Sequence, residues 1–307
     1  MEAIVVAYGF EYLVMAVNNA RSIRRMSPGV SLTLVSNAPP EWTEVLGQDF
    51  DRVDLREEPT EANRRAKLDV FEASRADRVL YLDADAEVRG DLAPAFRMLD
   101  DYDLLIRPFD LPSKFAHRIG CDLDGQLYPQ YWGGMFFFRR TEEVRRFFDR
   151  WQERFRTGGI SRDQPALARA IHDSSGLRVL PMNALWGIFS ADLARYPKDR
   201  PTPRIYHYAD VSNDAALLDA CTAIAEELRS TLPDHPGWRS EVDDTVRRMR
   251  RMRTIWYRNP LSNRAARRVW WTIDGALGRT VTDVRKKRPS VAGEPLERSR
   301  DRPLWTD

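Results

Sequence analysis

The run Val79-Leu80-Tyr81-Leu82 stops abruptly at Asp83-Ala84-Asp85, and this transition constrains the fold more than any other feature of the chain. A short apolar run rich in β-formers reads as a buried strand. Carboxylates at its carboxyl end would sit in the crevice where open α/β sheets bind ligands. Successive strand residues face opposite ways, so Asp83 and Asp85 are expected to share a face. At close range their repulsion would raise one pKa unless a divalent ion neutralised both. Hard carboxylate oxygens suit Mg2+ or Mn2+, ions that typically also take oxygens from a diphosphate. The competing reading is a solvated strand end with two chance aspartates.

The residues before this transition alternate between strand and helix signals. Ala3-Ile4-Val5-Val6-Ala7 reads as a strand, and Glu11 to Met26 as a helix in which Leu13, Ala16, Val17, Ala20 and Ile23 recur at helical spacing. Ser31 to Val35 reads as a second strand, stopped by Asn37-Ala38-Pro39-Pro40. Thr60-Glu61-Ala62-Asn63 starts a helix that runs to about Ser74. Strands alternating with helices predict an α/β fold with a mainly parallel sheet flanked by helices.

The second half keeps this character with less regularity. Tyr102–Ile106, Met135–Arg139, Leu177–Leu180 and Arg204–Tyr208 read as strands. Thr141 to Phe155 reads as a helix capped by Thr141, with Val144, Phe147, Phe148 and Trp151 on its buried side. Arg162 to His172 is a further helix, and Asp214 to Leu232 another, capped by Ser212 or Asn213. After Pro236 the composition shifts. Trp238 to Tyr257 places Val242, Met249, Met252 and Trp256 near one face, Asn259-Pro260 breaks it, and Asn263 to Leu277 forms a second amphipathic stretch. From Arg285 the chain is polar and contains proline, which predicts a poorly ordered tail. The expected division is a catalytic domain over 1–236, a basic Trp/Arg-rich helical extension over 237–284 and the tail over 285–307.

Charge is lopsided. Between Arg247 and Arg288 fourteen basic residues face only Asp274 and Asp283, a local excess of +12 in a chain whose formal net charge is +2, so the remainder carries about −10. No stretch approaches the ~20 apolar residues of a membrane span, and the N-terminus enters a strand directly, so a cytoplasmic protein is expected. Cys121 and Cys221 lie in no metal-binding or redox spacing.

Taken together, the strand, the Asp-x-Asp and their flanks resemble a GT-A fold, metal-dependent glycosyltransferase, and more narrowly the retaining family that includes glycogenin and the bacterial lipopolysaccharide galactosyltransferases. The resemblance covers Ala3 to Asp210 and rests on the order and spacing of motifs. It implies a nucleotide-diphosphate sugar as donor, Mn2+ or Mg2+ as cofactor, and Ala84 as a nucleotide-sugar-binding residue. Lys67 matches a helical basic residue that reaches the donor sugar or diphosphate. Tyr131-Trp132-Gly133-Gly134-Met135-Phe136-Phe137-Phe138 resembles the family's small-residue turn leading into an apolar strand, where glycines let a ligand approach the backbone. A β-bulge explains them nearly as well, and the Asn or Ser usual before the glycine is replaced by Trp132 and Gly133.

Ser161-Arg162-Asp163-Gln164-Pro165-Ala166-Leu167 resembles the family's Asp-Gln segment, which implies that Asp163 holds sugar hydroxyls and Gln164 lies near the anomeric carbon. A helix start with Pro165 in its first turn accounts for the same residues structurally. Pro181-Met182-Asn183 resembles the stretch before the last sheet strand, with Asn183 a substrate-binding candidate. Arg204-Ile205-Tyr206-His207-Tyr208 resembles the strand whose histidine completes the metal site, which implies the ligand set Asp83, Asp85 and His207. After that histidine the family has a glycine and a Lys-Pro-Trp that grips the diphosphate, where this chain has Ala209-Asp210-Val211. Diphosphate charge is then left to Lys198, Arg204 or Lys67. Ala7-Tyr8-Gly9-Phe10-Glu11-Tyr12 matches the nucleobase and ribose position, with Ala7 and Tyr8 at the strand end and Tyr12 as the stacking tyrosine. The polar residue expected near Phe10 is missing.

Two rivals follow from the same residues: a non-catalytic nucleotide-sugar-binding protein, and a sugar nucleotidyltransferase, against which the N-terminus offers no Gly-rich phosphate loop. The basic segment over 238–288 has three readings. It is an interfacial helix pair for an anionic membrane surface, a nucleic-acid-binding patch, or a pair of helices that pack on the catalytic domain or a second subunit and leave arginine solvated. Oligomeric state is open.

Overall fold

The computed structural model describes residues 1–57, 67–108, 130–157, 163–189, 201–208 and 214–258. The expected helix start at Thr60, Cys121, Ser161-Arg162, Lys198, Ala209-Asp210-Val211 and the chain from Asn259 onward lie outside them. Met1–Ile255 form one compact unit, and of the second, Trp256–Asp307, only a helical end at 256–258 is described.

Strand β1 (Glu2–Ala7) is buried along its whole length. Gly9 follows with φ of 87°, a conformation that costs a glycine little, and turns the chain into α1 (Phe10–Met26), whose Leu13, Ala16, Val17, Ala20 and Ile23 are all buried. Then come β2 (Ser31–Ser36), a 3-10 turn at Pro40–Trp42, α2 (Thr43–Leu46) and β3 (Arg52–Leu55). Of the helix expected up to Ser74, the described part is a 3-10 turn, Lys67–Asp69, and the short α3 (Val70–Ala73). β4 (Arg78–Asp83), β5 (Ala86–Val88), α4 (Ala93–Met98), β6 (Leu104–Pro108) and β7 (Tyr131–Arg139) follow. The remainder is α5 (Glu142–Thr157), α6 (Asp163–His172), β8 (Val179–Pro181), β9 (Ile188–Phe189), β10 (Ile205–His207), α7 (Ala215–Thr231) and α8 (Arg239–Arg258).

Seven strands form one sheet in the order β3-β2-β1-β4-β7-β6-β8. It is parallel except at β7, which runs against both β4 and β6. A small second sheet, β5-β10-β9, lies beyond the end of β4. β7 is the central, doubly buried strand. Phe136 and Phe138 meet Phe71, Phe148 and Trp151 on one face, while Phe137 meets Phe96 and Trp186 on the other. Removing one such ring leaves a cavity worth roughly 3 to 5 kcal/mol.

Several local expectations are corrected. Tyr131 to Gly134 belong to β7 and not to a turn before it, and the β6–β7 register shifts between Ile106 and Pro108, which is the bulge arrangement weighed above. Leu217 N donates to Asp214 Oδ1 at 3.0 Å, so Asp214 caps α7; Ser212 and Asn213, the expected caps, lie outside the described residues. β3 went unread because Arg-Val-Asp-Leu is short, half-exposed and lies on the sheet edge. In α8, Val246, Met249 and Met252 are buried, and the arginines find acids on the same unit: Arg248 with Glu11, Arg250 with Glu226 at 2.6 Å and Arg253 with Asp219 at 2.8 Å. This helix therefore has packed partners for its charge. Cys221 is buried, and burial pushes its thiol up to about 12. No described helix is long and apolar enough to cross a membrane.

Candidate active site

β1 and β4 run parallel with Val6 opposite Asp83, so the carboxyl ends of both strands open on one crevice. Asp83 is the last strand residue. Tyr81, two positions back and on the same face, donates its hydroxyl to Asp83 Oδ1 at 2.6 Å, and buried Asn19 of α1 donates to the Asp83 carbonyl at 3.0 Å.

Asp85 arrives by another route than strand alternation. β4 ends at Asp83, Ala84 and Asp85 form a tight turn, and β5 starts at Ala86. β5 pairs antiparallel with β10, placing His207 opposite Ala86, and Tyr208 N donates to the Asp85 carbonyl at 3.0 Å. His207 Nε2 thus lies 3.0 Å from Asp85 Oδ1 and 3.8 Å from Asp83 Oδ2. The imidazole stands edge-on between Trp132 and Phe189, with ring centres 5.1 and 4.9 Å away. Its Nδ1 is buried and has no hydrogen-bond partner among the described residues.

Lys67 joins a third acid to this group. Its buried Nζ lies 3.2 Å from Asp163 Oδ2 and 3.5 Å from Asp83 Oδ1, and 3.5 Å from the Gly133 carbonyl. Asp163 is buried, and its own carbonyl accepts the Trp151 indole N–H at 3.1 Å. The two glycines of β7 make the crowding possible. A Cβ on Gly133 would lie 3.2 Å from Asp163 Oδ2, and one on Gly134 would overlap Asp83 Oδ2 and the Trp132 indole.

The electrostatics follow from this packing. Burial works against a charge on Lys67, but Asp163 and Asp83 outweigh it and hold the ammonium above its ordinary range. Burial likewise opposes ionisation of Asp85 and His207; their mutual attraction wins, lowering the first and raising the second. Tyr81 is pushed well up by burial and then by Asp83, so it remains a donor. Three carboxylates against one ammonium leave a formal −2 when His207 is neutral, the charge that one divalent cation cancels.

Asp83, Asp85 and His207 each offer a ligand atom, all within 4.8 Å of one another. Two carboxylate oxygens and an imidazole nitrogen form a donor set suited to Mn2+ or Mg2+. An imidazole whose Nε2 is turned towards two acids is placed as a ligand nitrogen would be. A cavity of about 170 Å3 opens beside this group, lined by Val6, Tyr12, Lys67, Tyr81, Asp83, Ala84 and Asp85. A larger cleft of about 290 Å3 near Trp42, Arg229, Arg239 and Asp243 holds charges that pair off, Arg229 with Asp243 and Arg239 with Asp234.

Of the residues singled out from sequence, Lys67, Asp83, Ala84, Asp85, Gly133, Gly134, Asp163 and His207 converge. Tyr12 stands exposed on the cavity lining, Ala7 and Tyr8 are buried at the end of β1, and half-buried Gln164 sits beside Gly133. Asn183 is exposed and closes its own turn, accepting from Leu185 N at 3.0 Å. Arg204 is committed elsewhere, donating to the Asp91 carbonyl at 2.5 Å with its guanidinium 5.1 Å over Trp186. Of the three candidates for the diphosphate, Lys67 is therefore at the cavity, Arg204 is not, and Lys198 lies outside the described residues. Sequence reasoning missed Asn19, Tyr81, Trp132 and Phe189. An amide within the apolar stripe of α1 was the one available signal, for Asn19.

No protein-family profile and no curated protein sequence matches the chain. Solved structures do match. Galactosyltransferase LgtC, solved with donor and acceptor sugar analogues, superposes with a TM-score of 0.52 at 18% identity, covering 78% of this chain and all of LgtC. The glycosyltransferase GlyE of Streptococcus pneumoniae TIGR4 gives 0.53 at 16% identity over 75% of this chain and 63% of GlyE. The bifunctional glycosyltransferase WbbM gives 0.51 at 13% identity over 80% of this chain and 51% of WbbM. What the chain shares with them is architecture: it has the GT-A fold, a mainly parallel seven-stranded sheet flanked by helices.

Proposed function

We propose that this chain is a glycosyltransferase that moves a hexose from a nucleotide-diphosphate sugar, a UDP-sugar foremost, with Mn2+ or Mg2+ held by Asp83, Asp85 and His207. The observation that carries this reading is the convergence of two acids from one end of β4 with a histidine from β10, beside a cavity that also presents a buried lysine. When bound, the metal supplies charge neutralisation for the departing diphosphate. Lys67 adds a fixed positive charge on the same side. Asp163 is ion-paired to Lys67 and almost fully buried, so its carboxylate is held in place beside the cavity. Its role is to hold sugar hydroxyls, with Gln164 next to the reacting carbon, and transfer then proceeds with retention of anomeric configuration. Assay of donor hydrolysis and transfer with Mn2+ tests the proposal. Asp85→Ala is expected to reduce both by about 10²-fold or more, and undiminished turnover would remove the metal from the account. Metal-dependent binding of UDP-sugars with no turnover on any acceptor would favour the non-catalytic reading.

For the basic segment beyond the described residues, the proposed partner is an anionic membrane surface. It combines Arg264, Arg267, Arg268 and the run Arg285 to Arg288 with Trp270 and Trp271. Flotation of the full chain with anionic and not with neutral vesicles is expected. A salt-dependent shift of DNA without flotation would overturn it.

A further inference from the structure

Glu241 stands in the first turn of α8, 231 residues from α1, and its Oε1 accepts a hydrogen bond from Phe10 N at 2.6 Å. The approach depends on Gly9: a Cβ there would lie 2.8 Å from that oxygen, and Gly9 already holds a φ of 87°. Gly9 N in turn donates to Asn37 Oδ1 at 3.0 Å, and Arg248, two turns along α8, pairs with Glu11. A carboxylate from the end of the compact unit is thus fixed at the carboxyl end of β1.

Its place relative to the cavity follows from the register. Val6 lies opposite Asp83 and lines the cavity, and Gly9 comes three residues later, at most roughly 10 Å along the chain. Tyr12, within the first helical turn, stands exposed on the same cavity. A nucleotide whose diphosphate sits at the acidic cluster with its cation would extend its base past Tyr12 towards Gly9 and Glu241.

The charge at this spot decides which end of the ligand it takes. A helix N-terminus at a strand end ordinarily attracts phosphate. Here a carboxylate already occupies Phe10 N, so an anion is repelled. A carboxylate offers acceptors only. Oε1 is engaged with Phe10 N, and the side chain is exposed. Such a group favours a base edge with a ring N–H, as in the imide of uracil or the lactam of guanine. It disfavours the ring-nitrogen lone pair that cytosine and adenine present at the corresponding position.

We propose that Glu241 is a specificity-determining residue that selects donor nucleotides whose base carries a ring N–H. The proposal rests on the nucleotide-sugar reading above, and the test separates the two. Calorimetric titration of the full chain with UDP, CDP, GDP and ADP in the presence of Mn2+ gives the ratios UDP to CDP and GDP to ADP; whichever pair binds identifies the ring. Wild type is expected to prefer the N–H member at least tenfold. Glu241→Gln keeps an acceptor for Phe10 N but presents an N–H, so the ratio should fall towards one or reverse. Glu241→Ala should lower it with loss of affinity, and Arg248→Met, which loosens the same helix without touching a base, should leave it unchanged. A ratio unaltered in Glu241→Gln, or lost equally in Arg248→Met, would overturn the assignment of Glu241 and leave the transferase reading standing. Failure of wild type to bind any of the four would overturn both.

Discussion

The two ends of strands β1 and β4 both bury acidic side chains, and they are finished in opposite ways. At the start of β1, Glu2 meets four donors: Thr33 Oγ1 at 2.7 Å and Arg52 Nη2 at 3.0 Å on one oxygen, and the backbone N–H groups of Arg75 and Ala76 at 2.7 and 3.0 Å on the other. Burial opposes its charge, yet these donors prevail and hold its carboxyl below the ordinary glutamate range. At the far end, the three carboxylates of Asp83, Asp85 and Asp163 share one lysine and one histidine. A closed polar network stabilises the sheet; an open one stores unmet electrostatic demand that a cation and an anionic ligand satisfy. Strand direction sorts the two, since the crevice of an open α/β sheet lies at its carboxyl edge.

The sharpest contrast comes from deleting one acid at each end. Asp85→Ala is expected to reduce metal-dependent transfer by about 10²-fold or more, while the metal-free melting temperature changes little, because the lost pairing with His207 is offset by relief of the repulsion from Asp83. Glu2→Ala should do the reverse. It leaves the Thr33 hydroxyl and two backbone donors unmet at a cost of about 3 kcal/mol, a fall of roughly 6 to 12 °C in melting temperature, with activity per folded molecule retained. If both variants lost stability and activity in the same proportion, the division between the ends would be wrong.

The glycines sharpen the same comparison. Gly134→Ala pushes a methyl group into Asp83 and Trp132, so Mn2+ affinity measured by titration should fall at least tenfold. A smaller effect is expected from pH. Glu2 contributes stability that is complete above the ordinary glutamate range and is lost as pH falls through that range to its depressed native value. Melting scans from neutral pH downward should therefore show wild type losing more stability than Glu2→Gln over that interval. Smallest of all is Gly29→Ala, which meets only open space and should change stability by less than about 1 kcal/mol in either direction with activity intact.

How much of this was legible in the sequence depended on the range of the interaction. β1, β2 and β4 were readable as continuous apolar runs and α1 because its buried residues recur at helical spacing, and Asp83 because an apolar run ends on it. That Asp83 and Asp85 meet was anticipated for the wrong reason: their approach comes from a turn and from β10 pairing with β5, a contact across 120 residues that no local pattern encodes. His207 was placed by motif order, whereas the Trp132 and Phe189 walls around it looked like ordinary core residues. The arginines of α8 read as a free basic face because their acids, Glu11, Asp219 and Glu226, lie on other helices. Glu241 escaped notice for the same reason, being joined to Phe10 across almost the whole compact unit.

Binding of Mn2+ itself tests the central claim most directly, because it reads the open end of the sheet without any assumption about acceptor. Electron paramagnetic resonance of free Mn2+ during titration should show a single ion taken up per wild-type chain in the presence of UDP, and none by Asp85→Ala at the same concentration. Equal uptake by the two proteins, or no uptake by wild type, would contradict the account.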